Sequence, residues 1–515
     1  MMAIALCIIY IAAFCILILK WKIFSTDYLS KRLIILFFLL KILAGLTLNF
    51  IYSNHYSDKK NADIYKYFND SKYIHETLKE NPLDYLQLIT GYYFHEEELN
   101  RYLKNTKHWK YQSEKYAELT STGSSTFSNN RTITKFNAIV RIFSFGNISV
   151  HVVFMCFLSL IGCILLFKSY SSLISGNAKK LLYYVIFLTP SILLWSSGIL
   201  KEGLITLGMG VLIYCIFKLK DENKWRPKYI LFFGLSILLL FITKYYIALI
   251  ILPISIVFMI NTTSKKQTLL KYGLFALIAV GSLFVIETFY PKFSVLNRLK
   301  EKQNEQVRIA KGGYFFLKPQ KNNNYELIRF DKNVLIKQKE KKINSNKDSQ
   351  LITIKPGLYY QNFNNGFNSQ PIKTDSLFTC YFLDSFPKAN SYYPIDEIST
   401  NLSSTLLIIP KAILTIFTKP FFVENKSVFF ILCSIENLCI LICLLVILFK
   451  LKFNNQNLNA FLFNIVFVAQ LYAIIGLTCP VIGGLVRYKV PGLTLLLISL
   501  VLAMYKKPAL SSKID

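Results

Sequence analysis

The stretch ISVHVVFMCFLSLIGCILLF, residues 148–167, decides the class of fold. It passes twenty positions without Lys, Arg, Asp or Glu. An α-helix rises about 1.5 Å per residue, so this stretch covers the ~30 Å of hydrocarbon in a bilayer. Residues 33–52 and 272–289 read the same way. Working outward gives about eleven apolar stretches, at 2–19, 33–52, 148–167, 181–196, 199–217, 229–243, 246–260, 272–289, 427–449, 458–478 and 490–505. The expected fold is an all-α polytopic membrane protein with about eleven transmembrane helices. Two polar segments interrupt it, 53–147 and 289–401.

Composition agrees. The 515 residues are 53% hydrophobic and 15% aromatic, too apolar for a water-soluble chain of this size. Lys and Arg number 59 against 29 Asp and Glu. That excess is not gathered on one polar domain, which argues against a nucleic-acid partner. It falls in short connections: Lys20 to Arg32, Lys168 to Lys180, Lys218 to Lys228, Lys265 to Lys271, Lys450 to Lys452, and the chain end from Lys506. Cytoplasmic loops carry such an excess. Both long polar segments and the N-terminus are then expected outside, and the C-terminus inside, in a bacterial cytoplasmic membrane. Residues 1–20 lack a basic leader and an A-x-A-type site, so they read as a retained span. Nine of the ten cysteines lie in or beside apolar spans, and Cys380 alone sits in a polar loop. No disulfide framework is implied.

Six regions follow: two spans (1–52), an external helical loop (53–147), a membrane core (148–288), an external α/β insert (289–401), an interfacial helix (402–426) and three last spans with a tail (427–515). Within the core, 181–217 and 229–260 are short for two crossings and long for one. Each carries a polar break, Trp195-Ser196-Ser197-Gly198 to Lys201-Glu202 and Thr243-Lys244-Tyr245-Tyr246. Both read as hairpins of short helices. Non-helical backbone at membrane depth is tolerated only beside protein or a wet cavity, so paired breaks point to a cavity. In the first loop, Asp63, Tyr67 and Asp70 fall at i, i+4 and i+7 on one helical face.

No P-loop, G-x-G-x-x-G, G-x-S-x-G or H-x-x-x-H occurs, and only five histidines are present. Candidate chemistry therefore rests on carboxylates and cations. Asp58, Asp63 and Asp70 lie just beyond the second span, where partial desolvation raises a carboxyl pKa toward that of a general base. The alternative for Asp63 is a charge in a first helical turn, complementing the dipole. Lys201 and Glu202 are ionisable groups at a helix start inside an apolar hairpin, a costly and usually functional placement. Lys244 is similar. The alternative is a pair reaching to the surface. Arg487 and Tyr488, before the last span, suit a phosphate or serve as an interface anchor. Arg141 and His151 bracket the third span, and Glu436-Asn437 lie inside a span as expected helix–helix contacts.

Three of these features together resemble GT-C-type glycosyltransferases, membrane enzymes that take a sugar from a polyprenyl-phosphate carrier. They are Asp63 in Asn61-Ala62-Asp63-Ile64-Tyr65, the hairpin Pro190-Ser191-Ile192-Leu193-Leu194-Trp195 leading to Lys201-Glu202, and Arg487-Tyr488-Lys489-Val490-Pro491. The likeness covers about half the chain. It implies that Asp63 is the catalytic base; beside it the residues themselves offer Asp70 as a second catalytic candidate and Lys201, Glu202, Lys244, Arg487 and Tyr488 as candidates to bind the phosphate-linked substrate. The partners implied are membrane lipid, a polyprenyl-phosphate-linked sugar and a glycan, lipid or protein acceptor. No metal site or organic cofactor is implied, although a divalent ion beside Asp63 is compatible with the chemistry. An extra N-terminal span and the lack of paired Asp-Glu depart from the pattern. Competing readings are an O-antigen-polymerase-like enzyme using Arg141, Arg308 and Arg487, and a flippase of lipid-linked oligosaccharide. The flippase reading expects buried polar groups on both sides of the midplane, whereas the sequence places them toward the outer end.

Overall fold

A computed structural model describes residues 2–55, 62–92, 96–103, 106, 129–221, 226–320, 325–331, 351–363, 366–399, 401–421, 428–448 and 454–504. Asp58 and the C-terminal tail lie outside them. Among the described residues, seven helices are long and apolar enough to cross a bilayer, or eight if the bent pair Ile482–Tyr488 and Val490–Met504 counts as one span. The protein is a polytopic membrane protein. The larger expected number counted each arm of the two hairpins, and the shorter apolar helix at Ile4–Lys20, as separate crossings.

The chain divides into two compact units. The first comprises Met1–Tyr272, Ile442–Val468 and Val490–Asp515. Among the described residues, its helices up to residue 259 are α1 (Met2–Lys20), α2 (Lys31–His55), α3 (Asp63–Glu80), α4 (Pro82–Thr90), α5 (Glu96–Leu103), α6 (Asn129–Ser144), α7 (Ile148–Ser171), α8 (Asn177–Leu188), α9 (Pro190–Trp195), α10 (Lys201–Asp221) and α11 (Pro227–Met259). At its centre α7 and α10 pack along each other. Two glycines set their spacing: a Cβ on Gly162 would lie 2.3 Å from the Thr206 carbonyl oxygen, and one on Gly210 2.2 Å from that of Gly162. Small residues of this kind let membrane helices approach without a hydrophobic driving force between them.

Helix α11 is two arms joined at Lys244, whose φ of −150° and ψ of 90° are extended rather than helical. The arms double back. Tyr229 packs its ring 6.4 Å from Tyr214, and a Cβ on Gly208 would touch Leu240, so the first arm runs antiparallel to α10. Phe258 then stacks 5.2 Å from Phe217, and Lys220 Nζ donates to its carbonyl at 2.7 Å. A straight helix would separate residues 229 and 258 by about 43 Å, which these contacts forbid.

The basic connections of this unit gather at one end. Lys168 Nζ donates to the Lys22 carbonyl at 3.5 Å, and Lys271 Nζ to that of Ile260 at 2.8 Å, near Lys220. Buried polar groups tie this end together. Thr268 bonds Asn455 at 2.6 Å, Tyr272 bonds Asn459 at 3.1 Å, and Tyr170 bonds Asn464 at 2.5 Å. The expectation that buried polar groups cluster only toward the far end is corrected here. The asparagines of 454–464 stop up carbonyls where α11 ends: Asn459 Nδ2 donates to Phe258 and Asn455 Nδ2 to Thr262.

The second unit comprises Gly273–Leu441 and Ala469–Lys489. Glu287, near the end of α12 (Lys265–Phe289), accepts from Leu296 N at 3.0 Å and from Ser294 Oγ at 2.5 Å, fixing the start of α13 (Val295–Lys311). Among the described residues six strands follow: β1 (Gly313–Pro319), β2 (Tyr325–Phe330), β3 (Leu351–Ile354), β4 (Tyr359–Asn362), β5 (Ile372–Lys373) and β6 (Phe378–Phe386), in order β3-β6-β1-β2-β4-β5. Neighbours in this order pair antiparallel. The sheet is strongly curled. β4 and β6 have two strands between them, about 14 Å apart if flat, yet Tyr360 and Phe378 bring their rings to 6.1 Å. Phe316, Ile328, Phe330, Ile354 and Cys380 fill the concave side, while Phe315 and Phe386 face Val307 of α13. Helix α14 (Leu402–Thr418) contains Pro410 and buries Ala412, whose carbonyl sits 2.2 Å from where a Cβ on Gly476 would be.

Candidate functional site

The polar break of the first hairpin is built from small residues. Pro190 opens α9, and Ser196 and Ser197 turn their hydroxyls back to the carbonyls of Ile192 and Leu193, each at 2.6 Å. Such bonds compete with continuation of the helix. Ser196 through Leu200 are all buried, so this irregular backbone is enclosed by protein, as its depth requires. The chain then enters α10 with Lys201 and Glu202, both buried.

The two breaks meet. Lys244 Nζ lies 3.2 Å from Glu202 Oε1, both side chains nearly inaccessible. Beside them Lys201 Nζ donates to Asn130 Oδ1 at 2.7 Å. The same oxygen accepts from Tyr67 Oη at 3.1 Å. Thr132 Oγ1 donates to the Ile242 carbonyl at 2.5 Å, one residue before the second break. Thus α3, α6, α10 and α11 converge on two ammonium groups, one carboxylate, an amide and a phenol. The cluster lies at the start of α10, about 30 Å from the basic connections at its other end.

Asp63 is the first residue of α3 and half-buried; Asp70 is 2% exposed. Tyr67 between them, on the same face, links that face through Asn130 to Lys201. Helices α3 and α6 are held by Arg141. Its Nε donates to Ser71 Oγ at 2.9 Å and its terminal nitrogen to the Phe68 carbonyl at 2.6 Å, with the guanidinium 4.2 Å over the Phe68 ring. Burial pulls the Arg141 pKa down to about 10, against a nearby Glu76. It likewise brings Lys135 down to about 8, helped by Arg131. His75 is lowered by burial first and by Arg141 second. Arg141 is thus engaged in joining two helices. His151 is similarly engaged, 2.8 Å from both Ser144 Oγ and Asn137 Oδ1.

Arg487 and Tyr488 belong to the second unit, where Arg487 is buried with its guanidinium 5.4 Å over the Tyr488 ring. Lys489 Nζ there donates to Asn437 Oδ1 at 2.5 Å, and Asn437 Nδ2 to the Lys419 carbonyl at 2.8 Å. Asn437 therefore contributes helix contacts.

Sequence reasoning missed Lys41. It sits mid-way along α2, 2% exposed, and donates to Ser196 Oγ at 2.6 Å. The signal was available: one charge inside an otherwise apolar span, Phe37-Phe38-Leu39-Leu40-Lys41-Ile42-Leu43.

Among the described residues, no group of three or more His, Cys, Asp or Glu side chains is placed to hold a metal ion. No family model, curated protein or solved structure matches the chain.

Proposed function

We propose that the protein is an integral membrane glycosyltransferase that moves a sugar from a polyprenyl-phosphate carrier to a glycan, lipid or protein acceptor at the outer face of a bacterial cytoplasmic membrane. One observation carries this reading. Two broken helices bring Lys201, Lys244 and Glu202 together at the end of the first unit opposite its basic connections, beside the helix bearing Asp63 and Asp70. Paired helix breaks beside ionisable groups are where membrane proteins build sites for polar and anionic substrates.

In this reaction the acceptor oxygen attacks the anomeric carbon. The bond from that carbon to the phosphate oxygen breaks, and its electron pair leaves with the phosphate. Asp63 takes the acceptor proton. Lys201, with the first amides of α10, stabilises the departing phosphate, which gains negative charge as the bond opens. Lys244 is held in place by Glu202, and Asn130, which also accepts from Tyr67, holds Lys201. The curled sheet and α13 form the external insert in this scheme, and α14 an in-plane helix. Arg487 and Tyr488 stand as a proposed phosphate contact of the second unit.

The experiment supplies polyprenyl-phosphate-sugars and a glycan acceptor to purified protein in detergent. Product formed by the parent and lost in Lys201→Gln supports the enzyme. No product across a broad donor set defeats it. A flippase reading is favoured by the buried asparagines and tyrosines at the basic end, which place polar groups at both ends of the helices. Movement of lipid-linked oligosaccharide in proteoliposomes, without transfer, would establish that reading.

A further inference from the structure

We infer that Lys41 is a positioning residue of this site: its ammonium, with two neighbours one and two turns along α2, holds the Ser196–Leu200 turn and so sets where Lys201 and Glu202 stand. The inference rests on the proposed phosphate site, although the turn itself is observed independently.

The stripe Lys41, Gly45 and Leu48 follows i, i+4, i+7 spacing, one face of a helix. Each member meets one successive residue of the turn. Lys41 Nζ donates to Ser196 Oγ at 2.6 Å. A Cβ on Gly45 would lie 2.5 Å from the Ser197 carbonyl oxygen, so only glycine lets that backbone seat. A Cβ on Gly198 would lie 2.5 Å from Leu48. From the other side, Cys156 Sγ on α7 donates to the Ser197 carbonyl at 3.4 Å. The donor roles are consistent: the Ser196 hydroxyl gives its hydrogen to the Ile192 carbonyl and receives one from Lys41.

A lysine buried mid-span is costly, and a snorkelling lysine would reach for an interface. Lys41 turns instead into the protein, toward a turn whose backbone has left the helical pattern. An ammonium donor there holds the hydroxyl that ends α9, and the chain reaches Lys201 five residues later. Moving the turn moves both the Lys201 ammonium and the Glu202 carboxylate that holds Lys244.

The test compares the parent with Lys41→Met, Lys41→Arg and Ser196→Ala, as full-length protein in detergent. Amide hydrogen exchange is read on peptides covering 194–204, with 272–289 as control. Polyprenyl phosphate binding is measured on the same samples. Lys41→Met should raise exchange across 196–204 tenfold or more, leave 272–289 unchanged, and weaken phosphate-lipid binding about tenfold. Lys41→Arg, which keeps a donor, should retain most of both. If Lys41→Met also opens the control region, Ser196→Ala decides, because it leaves Lys41 in place, removes only the hydroxyl that accepts from it and donates to Ile192, and must loosen 196–204 locally. Parent-like exchange in that variant, or in a folded Lys41→Met, overturns the inference. Failure of the parent to bind polyprenyl phosphate, with the exchange response intact, defeats the phosphate reading and leaves the positioning role standing.

Discussion

Asp63 and Asp70 share a helix face but not an environment: one opens α3 half-buried, the other is almost fully enclosed seven residues later. A base must reach its proton, so exposure favours Asp63. Asp63→Asn should keep expression and thermal stability near parent values and lower sugar transfer by 100-fold or more, since the amide cannot take a proton. Full activity in that variant would end its role as base. Arg487 separates geometry from charge. Arg487→Ala should reduce turnover more than donor binding, and Arg487→Lys should restore only part, because guanidinium grips two phosphate oxygens and ammonium one. Equal rescue by lysine would reduce the role to a point charge. Lys201, Glu202 and Lys244 were legible in the sequence as charges within apolar runs. Lys41 obeys the same rule and was read as part of a span, because hydropathy averages a lone charge away over twenty residues. Arg141 shows the reverse: a cation at a membrane edge suggests a ligand, yet Ser71 and the Phe68 carbonyl occupy it.

The polar breaks were visible because Ser, Gly and Lys interrupt apolar periodicity. What periodicity cannot give is the direction of the chain after a break. At Lys244 one extended residue is enough to reverse it, and only the pairings of Tyr229 with Tyr214 and Phe258 with Phe217 reveal the reversal. The ion pair joining the two breaks yields a prediction. Removing one member leaves a buried charge, which costs about 3–5 kcal/mol; removing both is near neutral. Lys244→Met and Glu202→Gln should each lower the Tm by several degrees, and the double variant should recover most of the loss. If it recovers stability but not phosphate-lipid binding, the pair serves the ligand as well as the fold. Additive losses would show that the two side chains do not act together. The docking of α3 on α6 has a pH signature. The folded His75 pKa lies below its ordinary value, so the unfolded chain takes the proton first as pH falls. Its contribution is fully present above about pH 6.5 and is lost progressively below that. Parent protein should therefore lose more Tm between pH 7.5 and 5 than His75→Gln; matching curves would remove His75 as the cause.

At the scale of the whole chain, spans and loop charge carried most of what the sequence could say, because the bilayer imposes one length and one charge asymmetry on every crossing. The sheet of the second unit was legible only as short alternating runs, since its order joins strands distant in sequence and its curl depends on side chains meeting across two intervening strands. The expected membrane sidedness rests on charge. In the first unit the connections near Lys22, Lys168, Lys220 and Lys271 share one end, which the positive-inside rule assigns to the cytoplasm. Single cysteines test this, introduced after the exposed Cys439 and Cys443 are replaced. Asn69 on α3 and Leu377 before β6 are exposed, as is Thr263 between α11 and α12. A membrane-impermeant maleimide on sealed cells should label cysteine at 69 and 377 directly, and at 263 only after permeabilisation. The reverse pattern would move the Lys201–Glu202–Lys244 cluster to the cytoplasmic face. There a carrier-linked sugar on the outer leaflet could not reach it, and the proposed reaction would have to draw on a donor from the cytoplasm.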